Sequence, residues 1–140
     1  MFRIFTPQEA NRALPQVKQM FRSIVSQKDD VVSLQEELQQ TESLSSLEKF
    51  IKKKQQLNEA VSKLYKLIEL LESMGVLIKS VDEGVLDFPS VRFNKDVWLC
   101  WKFGETEVKF WHNRDEGFKD RKVLAPAGLL AEESDLAELR

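Results

Sequence analysis

The single cysteine and the single histidine of the chain, Cys100 and His112, lie in one stretch that also holds all three tryptophans, Trp98, Trp101 and Trp111. A cysteine nucleophile needs a base within hydrogen-bond reach and some access to solvent, so the chemistry depends on whether the two side chains meet. If the chain turns at Gly104 to Thr106 and returns antiparallel, Trp98 faces His112 and Cys100 faces Phe110. Cys100 is then diagonal to His112, about 7 to 8 Å away between backbones. That spacing favours a small buried thiol and a stacked Trp98–His112 pair over a catalytic couple.

Metal chemistry is a second possibility. Zinc takes three or four Cys, His or carboxylate ligands, and one cysteine with one histidine, in no CxxC or HxxxH spacing, does not predict a structural zinc site. Hard cations accept loop carboxylates, and Asp82, Asp87, Glu105, His112 and Asp115 form the candidate set for magnesium or manganese. The competing reading makes these acids turn and loop caps, since Asp82 and Asp87 flank Gly84 and Asp115 precedes Gly117. A third constellation places Asp87, Arg92, His112, Arg114, Asp115 and Arg121 near an aromatic wall of Trp98, Trp111 and Phe118. It reads either as a shallow pocket for an anionic or aromatic small molecule or as Arg–carboxylate pairs that pin a loop. The second is favoured, because a small domain needs such clips where regular structure ends.

The elements that position these residues are read from periodicity. Thr6 and Glu9 form a capping box with Pro7 at the first helical position, and Pro15 should kink or restart the helix near Leu14. Leu14, Val17, Phe21, Ile24, Lys28, Val31, Gln35 and Leu38 make one stripe. Leu47, Phe50, Lys54, Leu57, Val61, Leu64, Ile68 and Leu71 make another, ended by Gly75. The stripes predict an antiparallel, coiled-coil-like hairpin of residues 15–40 and 47–74, with Leu38 beside Leu47, Val31 beside Lys54 and Leu14 beside Leu71. Asp29, Asp30, Glu36 and Glu37 on the first arm then oppose Lys49, Lys52, Lys53 and Lys54 on the second.

Beyond Gly75 the pattern turns to strands at Val76–Ile78, Gly84–Phe93, Val97–Phe103 and Glu107–His112, with a turn at Asn94–Asp96. Pro89 marks an edge or a bulge. The class is α+β: a long antiparallel helical hairpin packed on a small antiparallel β-meander. The expected organisation is one domain over 1–124 (hairpin 7–74, meander 76–112, C-terminal loop 113–124) and a tail over 125–140 able to form a short helix.

Four motifs carry a family resemblance: Phe5-Thr-x-x-Glu-Ala-Asn-x-x-Leu-Pro15, Asp82-x-Gly-x-x-Asp-Phe-Pro-x-x-Arg92, Leu99-Cys-Trp-x-x-Gly-Glu105 and Glu107-Val-x-x-Trp-His-x-x-Asp-x-Gly-Phe-x-x-Arg121. In that order they resemble a family of small prokaryotic proteins, domain-of-unknown-function family 2203, over roughly residues 2 to 124. The resemblance implies a prokaryotic cytosolic protein with a helix-rich N-terminal half, and no established activity.

Composition limits the partners. With 140 residues, 42% hydrophobic and 31% charged, the chain reads as one globular domain. A net charge of −2 disfavours nucleic acid, and no run of about 18 apolar residues exists for membrane insertion. One cysteine cannot form an internal disulfide and the N-terminus lacks a signal-peptide pattern, so the expected compartment is cytoplasmic. No complete catalytic constellation can be assembled. The expected function is therefore a non-catalytic interaction or scaffold module, without a cofactor, that presents its hairpin to a protein partner or a second copy. The alternative is a small-ligand-binding or metal-assisted enzyme with its site around His112.

Overall fold

The computed structural model describes residues 3–44 and 46–124, so the tail over 125–140 lies outside the described residues. The elements run α1 (Pro7–Leu44), α2 (Leu47–Glu72), β1 (Leu77–Ser80), β2 (Val85–Arg92), β3 (Lys95–Lys102), β4 (Phe110–Asn113), a short 3-10 helix (Phe118–Asp120) and β5 (Lys122–Val123). The fold is α+β, with two helices packed together and a five-stranded antiparallel sheet in the order β1-β2-β3-β4-β5. Backbone contacts divide the chain into two compact units, one joining residues up to Lys18 with those from Glu72 onward, the other spanning Gln19–Leu71.

In the first unit, the capping box forms: the Thr6 amide donates to Glu9 Oε1 at 2.9 Å and the Glu9 amide donates to Thr6 Oγ1 at 3.1 Å. These bonds hold the Glu9 carboxyl below its ordinary pKa, the amide of Thr6 being the main cause. The helix does not restart at Pro15, where a break is expected from the lost amide. Leu14 and Val17 are buried on either side of the exposed Pro15, and their burial holds the backbone helical through the missing bond.

The same unit carries the sheet. Phe5 donates its amide to Pro89 O at 2.7 Å, and Ser90 Oγ donates to Phe5 O at 2.6 Å. Pro89 lies beyond the part of β2 that pairs with β1, so its side without an N–H faces the incoming Phe5 segment rather than a ladder. β2 is therefore an inner strand rather than the edge expected from Pro89, and the proline is accommodated past the end of the β1 ladder. Asn11 clamps the segment before β4 from both sides, its Nδ2 donating to Val108 O at 3.0 Å while Val108 N donates to its Oδ1 at 2.6 Å. Leu86, Phe88, Leu99 and Trp101 form the apolar face, with Phe5 packed edge-on against Phe88.

Several boundaries differ from the sequence reading: α1 continues to Leu44, β1 is Leu77–Ser80 rather than Val76–Ile78, and β4 is Phe110–Asn113 rather than Glu107–His112. The β2–β3 turn is Phe93–Asn94, both with positive φ (52° and 61°), rather than Asn94–Asp96. This is the twist a two-residue hairpin needs, supplied here by an aromatic residue instead of glycine. Within the segment read as loop, Lys122–Val123 adds a fifth strand beside β4.

In the second unit, Ser46 caps α2 through its Oγ, which accepts from Lys49 N at 3.4 Å. Gln27 donates to Ala60 O at 2.9 Å and Lys53 pairs with Glu37 at 3.1 Å. The hairpin is antiparallel as expected, but these partners sit about two and five residues further along α2 than the expected register gives. Gln27 lies beside the apolar stripe, and its buried amide donates to the Ala60 carbonyl, a polar contact between the helices that the stripe does not specify.

Candidate functional site

Directly opposed residues of an antiparallel sheet share a face. The ladder pairs Asp87 with Cys100 and Cys100 with Phe110, and beside them Pro89 with Trp98 and Trp98 with His112. The β3–β4 register is the one expected from the sequence, and Cys100 is diagonal to His112. Asp87, Cys100 and His112 therefore converge from three neighbouring strands on the face opposite Phe88 and Leu99. Their donor atoms lie within 4.8 Å of one another, and all three residues are buried.

The bonding inside the cluster is specific. His112 Nδ1 is 2.9 Å from Asn113 O, and a carbonyl oxygen only accepts, so Nδ1 carries a hydrogen. Nε2 points at Asp87 Oδ1 at 3.3 Å, with both side chains 1% exposed. In a neutral ring of that tautomer, two lone pairs face each other, so the pair holds one further proton between them. Burial raises the Asp87 carboxyl above its ordinary pKa, opposed in part by the charge of His112. Burial also pushes the Cys100 thiol up to about 12, with the Asp87 charge adding to the effect. Burial in this sealed site therefore favours the thiol over the thiolate that a nucleophile needs.

Basic side chains laid over aromatic rings surround the cluster. Arg114 lies 4.0 Å from the centre of the Trp98 ring and Lys79 lies 5.4 Å from it. Arg121 is 4.1 Å from Phe110 and 3.9 Å from Phe118, and its Nη1 donates to both oxygens of Glu105 at 3.1 Å. The chain leaving β4 is pinned further by Glu116, which accepts from Asn113 N and from Lys122 Nζ at 2.9 and 2.7 Å. The Lys122 bond comes first among the causes that lower the Glu116 pKa to about 2.

The candidate residues separate accordingly. Asp87 and His112 meet; Trp98 and Arg114 stack at the rim; Arg121 reaches Glu105 across the aromatic pair. Arg92 alternates to the opposite face, where its guanidinium is 5.1 Å from Trp111. Of the four acids and one histidine put forward for magnesium or manganese, Asp82 and Asp115 are exposed in turns and Glu105 is engaged by Arg121. Cys100 takes their place beside Asp87 and His112, which changes the donor set from oxygen-rich to mixed sulfur, nitrogen and oxygen.

Fold and site define a small α+β protein whose meander encloses a buried Asp–Cys–His cluster. A family model described as an uncharacterized conserved protein, DUF2203, matches residues 3–124, and the chain belongs to that family. Neither the curated proteins nor the solved structures contain a match to it. No helix among the described residues is long and apolar enough to cross a membrane.

Proposed function

We propose that the protein is a non-catalytic interaction module whose hairpin, residues 19–71, pairs with the hairpin of a second copy. The observation that carries this reading is α2 itself, a 26-residue helix in which Leu71 alone is buried. Two helices offer each other one face, whereas the apolar residues of α2 cover more than one face. Leu47, Ile51 and Tyr65 are 74%, 47% and 62% exposed. At 3.6 residues per turn they form a line about 110° around the helix from Leu57, Leu64 and Leu71. A second hairpin laid against that line completes a four-helix bundle.

Charge favours a second copy as the occupant. In a two-fold arrangement the surface meets itself, and because one chain carries both an acidic segment with Asp29, Asp30 and Glu36 and a basic one with Lys49, Lys52 and Lys54, opposite charges are available at the edges of the contact. Each exposed pair contributes only ~0.2 to 1 kcal/mol, so the charges set orientation while the apolar line supplies affinity. The test is the solution mass of the double variant Ile51→Lys/Tyr65→Lys, substitutions at exposed positions that the hairpin itself tolerates. Light scattering after gel filtration should give half the wild-type mass with an unchanged far-UV spectrum. Equal masses for both proteins refute the reading.

A second reading rests on a cavity of about 590 Å³ whose lining includes Arg3, Met74, Leu77, Pro89 and Trp98. Its aromatic floor and basic rim suit a small anionic ligand. A melting shift with one of a panel of nucleotides and organic anions, lost in Arg3→Ala, would support it; no shift across the panel would remove it.

A further inference from the structure

Asp87, Cys100 and His112 supply one carboxylate, one thiol and one imidazole to a single buried point, and they come from β2, β3 and β4, the three inner strands of the sheet. Chain alternation makes this convergence: Asp87 and Cys100 are opposed, and His112 is one diagonal step away. Two details of the cluster are costly in a purely protein-lined core. Asp87 Oδ2 is buried and reached by no N–H or O–H donor, the Cys100 thiol beside the carboxyl being only a weak one, and a buried oxygen left so ordinarily costs ~1 to 3 kcal/mol. The second is that Nε2 of His112 faces a carboxyl oxygen while Nδ1 already donates to the Asn113 carbonyl, so without a metal the pair must hold an extra proton away from solvent.

Both details have one resolution. A ligating histidine ordinarily donates its other ring N–H to a carbonyl or carboxylate, which fixes the tautomer and aims the free lone pair at the metal. His112 has that arrangement, with Asn113 O as the outer partner. We propose that Asp87, Cys100 and His112 bind one divalent transition-metal ion of the zinc type, which ties β2, β3 and β4 together from within the sheet. The site goes beyond the hairpin reading and stands independently of it.

The chemistry of the donors selects the metal. A thiolate with an imidazole suits zinc or its neighbour cobalt and rejects magnesium and calcium, which take oxygen ligands. In a tetrahedral zinc site with bonds of about 2.0 to 2.3 Å, the oxygen–nitrogen edge is about 3.3 Å and the edges to sulfur about 3.5 Å. Asp87 Oδ1 and His112 Nε2 already stand 3.3 Å apart, and the 4.8 Å limit on the whole cluster leaves the thiol a short approach. Oδ2 shares one carboxylate with Oδ1, so it can chelate the same ion but is no separate tetrahedral vertex, and the described residues supply three ligands. Charge also closes, since a dication with one thiolate and one carboxylate is neutral, as a buried site requires. Binding releases the thiol proton and the proton shared by Asp87 and His112.

The donors are sealed from solvent, so the ion enters as the chain folds. The experiment accordingly expresses the full chain in defined medium supplemented with zinc or with cobalt, followed by exhaustive dialysis and metal analysis of the purified protein. Wild type should retain one ion per chain, and its cobalt form should show the near-ultraviolet thiolate-to-metal band. Cys100→Ser, nearly the same size, should lose that band and most of the metal, whereas Asp115→Asn, an acid outside the cluster, should keep both. Wild type with less than a tenth of an ion per chain from both media overturns the proposal. So does metal that survives unchanged in Cys100→Ser, since it would then be bound elsewhere.

Discussion

Replacing His112 by alanine in metal-free protein removes the ring that bridges Asn113 O and Asp87 Oδ1 at 2.9 and 3.3 Å. Both oxygens are then left without that partner in a site where Asp87 and His112 are each 1% exposed. Breaking a buried pair from one side costs about 3 to 5 kcal/mol, because the remaining group cannot recover its hydration. For a chain of this size that is a fall in Tm of roughly 10 °C or more. Asp87→Val should also destabilise, by less, since a neutral imidazole is easier to leave unpaired than a carboxylate. The double variant His112→Ala/Asp87→Val loses both partners together and should be more stable than the sum of the single losses by about 2 to 3 kcal/mol. The Asn113 carbonyl is orphaned in both His112 backgrounds, so its contribution cancels from the coupling. Urea unfolding in the presence of EDTA measures all four proteins. Additivity within about 0.5 kcal/mol would refute the claim that Asp87 and His112 are energetically one unit.

Three further outcomes follow from local geometry. Thr6→Ala should lower stability by ~0.5 to 2 kcal/mol in thermal melts, because the Glu9 amide loses its acceptor; an unchanged Tm would mean the cap contributes nothing. Gly84 and Gly104 both have positive φ, but a Cβ at Gly84 would stand 2.7 Å from Phe103 Cβ while one at Gly104 meets nothing within 4 Å. Gly84→Ala should therefore destabilise clearly more than Gly104→Ala in urea, and equal losses would show that backbone strain alone decides both sites. Glu116 has a folded pKa lowered to about 2, so its contribution is present above the unfolded carboxyl pKa and is lost as pH falls from there towards 2. Wild type should lose its stability advantage over Glu116→Gln across that window, and a constant difference would remove the Lys122 and Asn113 bonds as the cause.

The cap at Thr6, the twin stripes and the β3–β4 register were legible because each depends on neighbours in sequence or on one short turn. Pro15 misled because a local rule about proline was outweighed by burial of Leu14 and Val17. The cluster itself was legible only in half. His112 was placed diagonal to Cys100, yet Asp87 could join them only through the β2–β3 register, which the Phe93–Asn94 turn sets. A turn at Asn94–Asp96 would put Asp87 opposite Phe103 instead of Cys100. Phe93 gives no signal for a left-handed turn, since aromatic side chains rarely adopt positive φ. The hairpin partners have the same origin: the polar interruptions of the stripe are Lys28 and Gln35, and Gln27, outside it, gives no sign of its bond to the Ala60 carbonyl.

The central claim, that two hairpins complete one bundle, is tested most directly by sedimentation equilibrium of the wild-type chain across a concentration series. The account predicts a single species of twice 16.3 kDa at micromolar concentration, dissociating on dilution. A mass of 16.3 kDa throughout the series would contradict it.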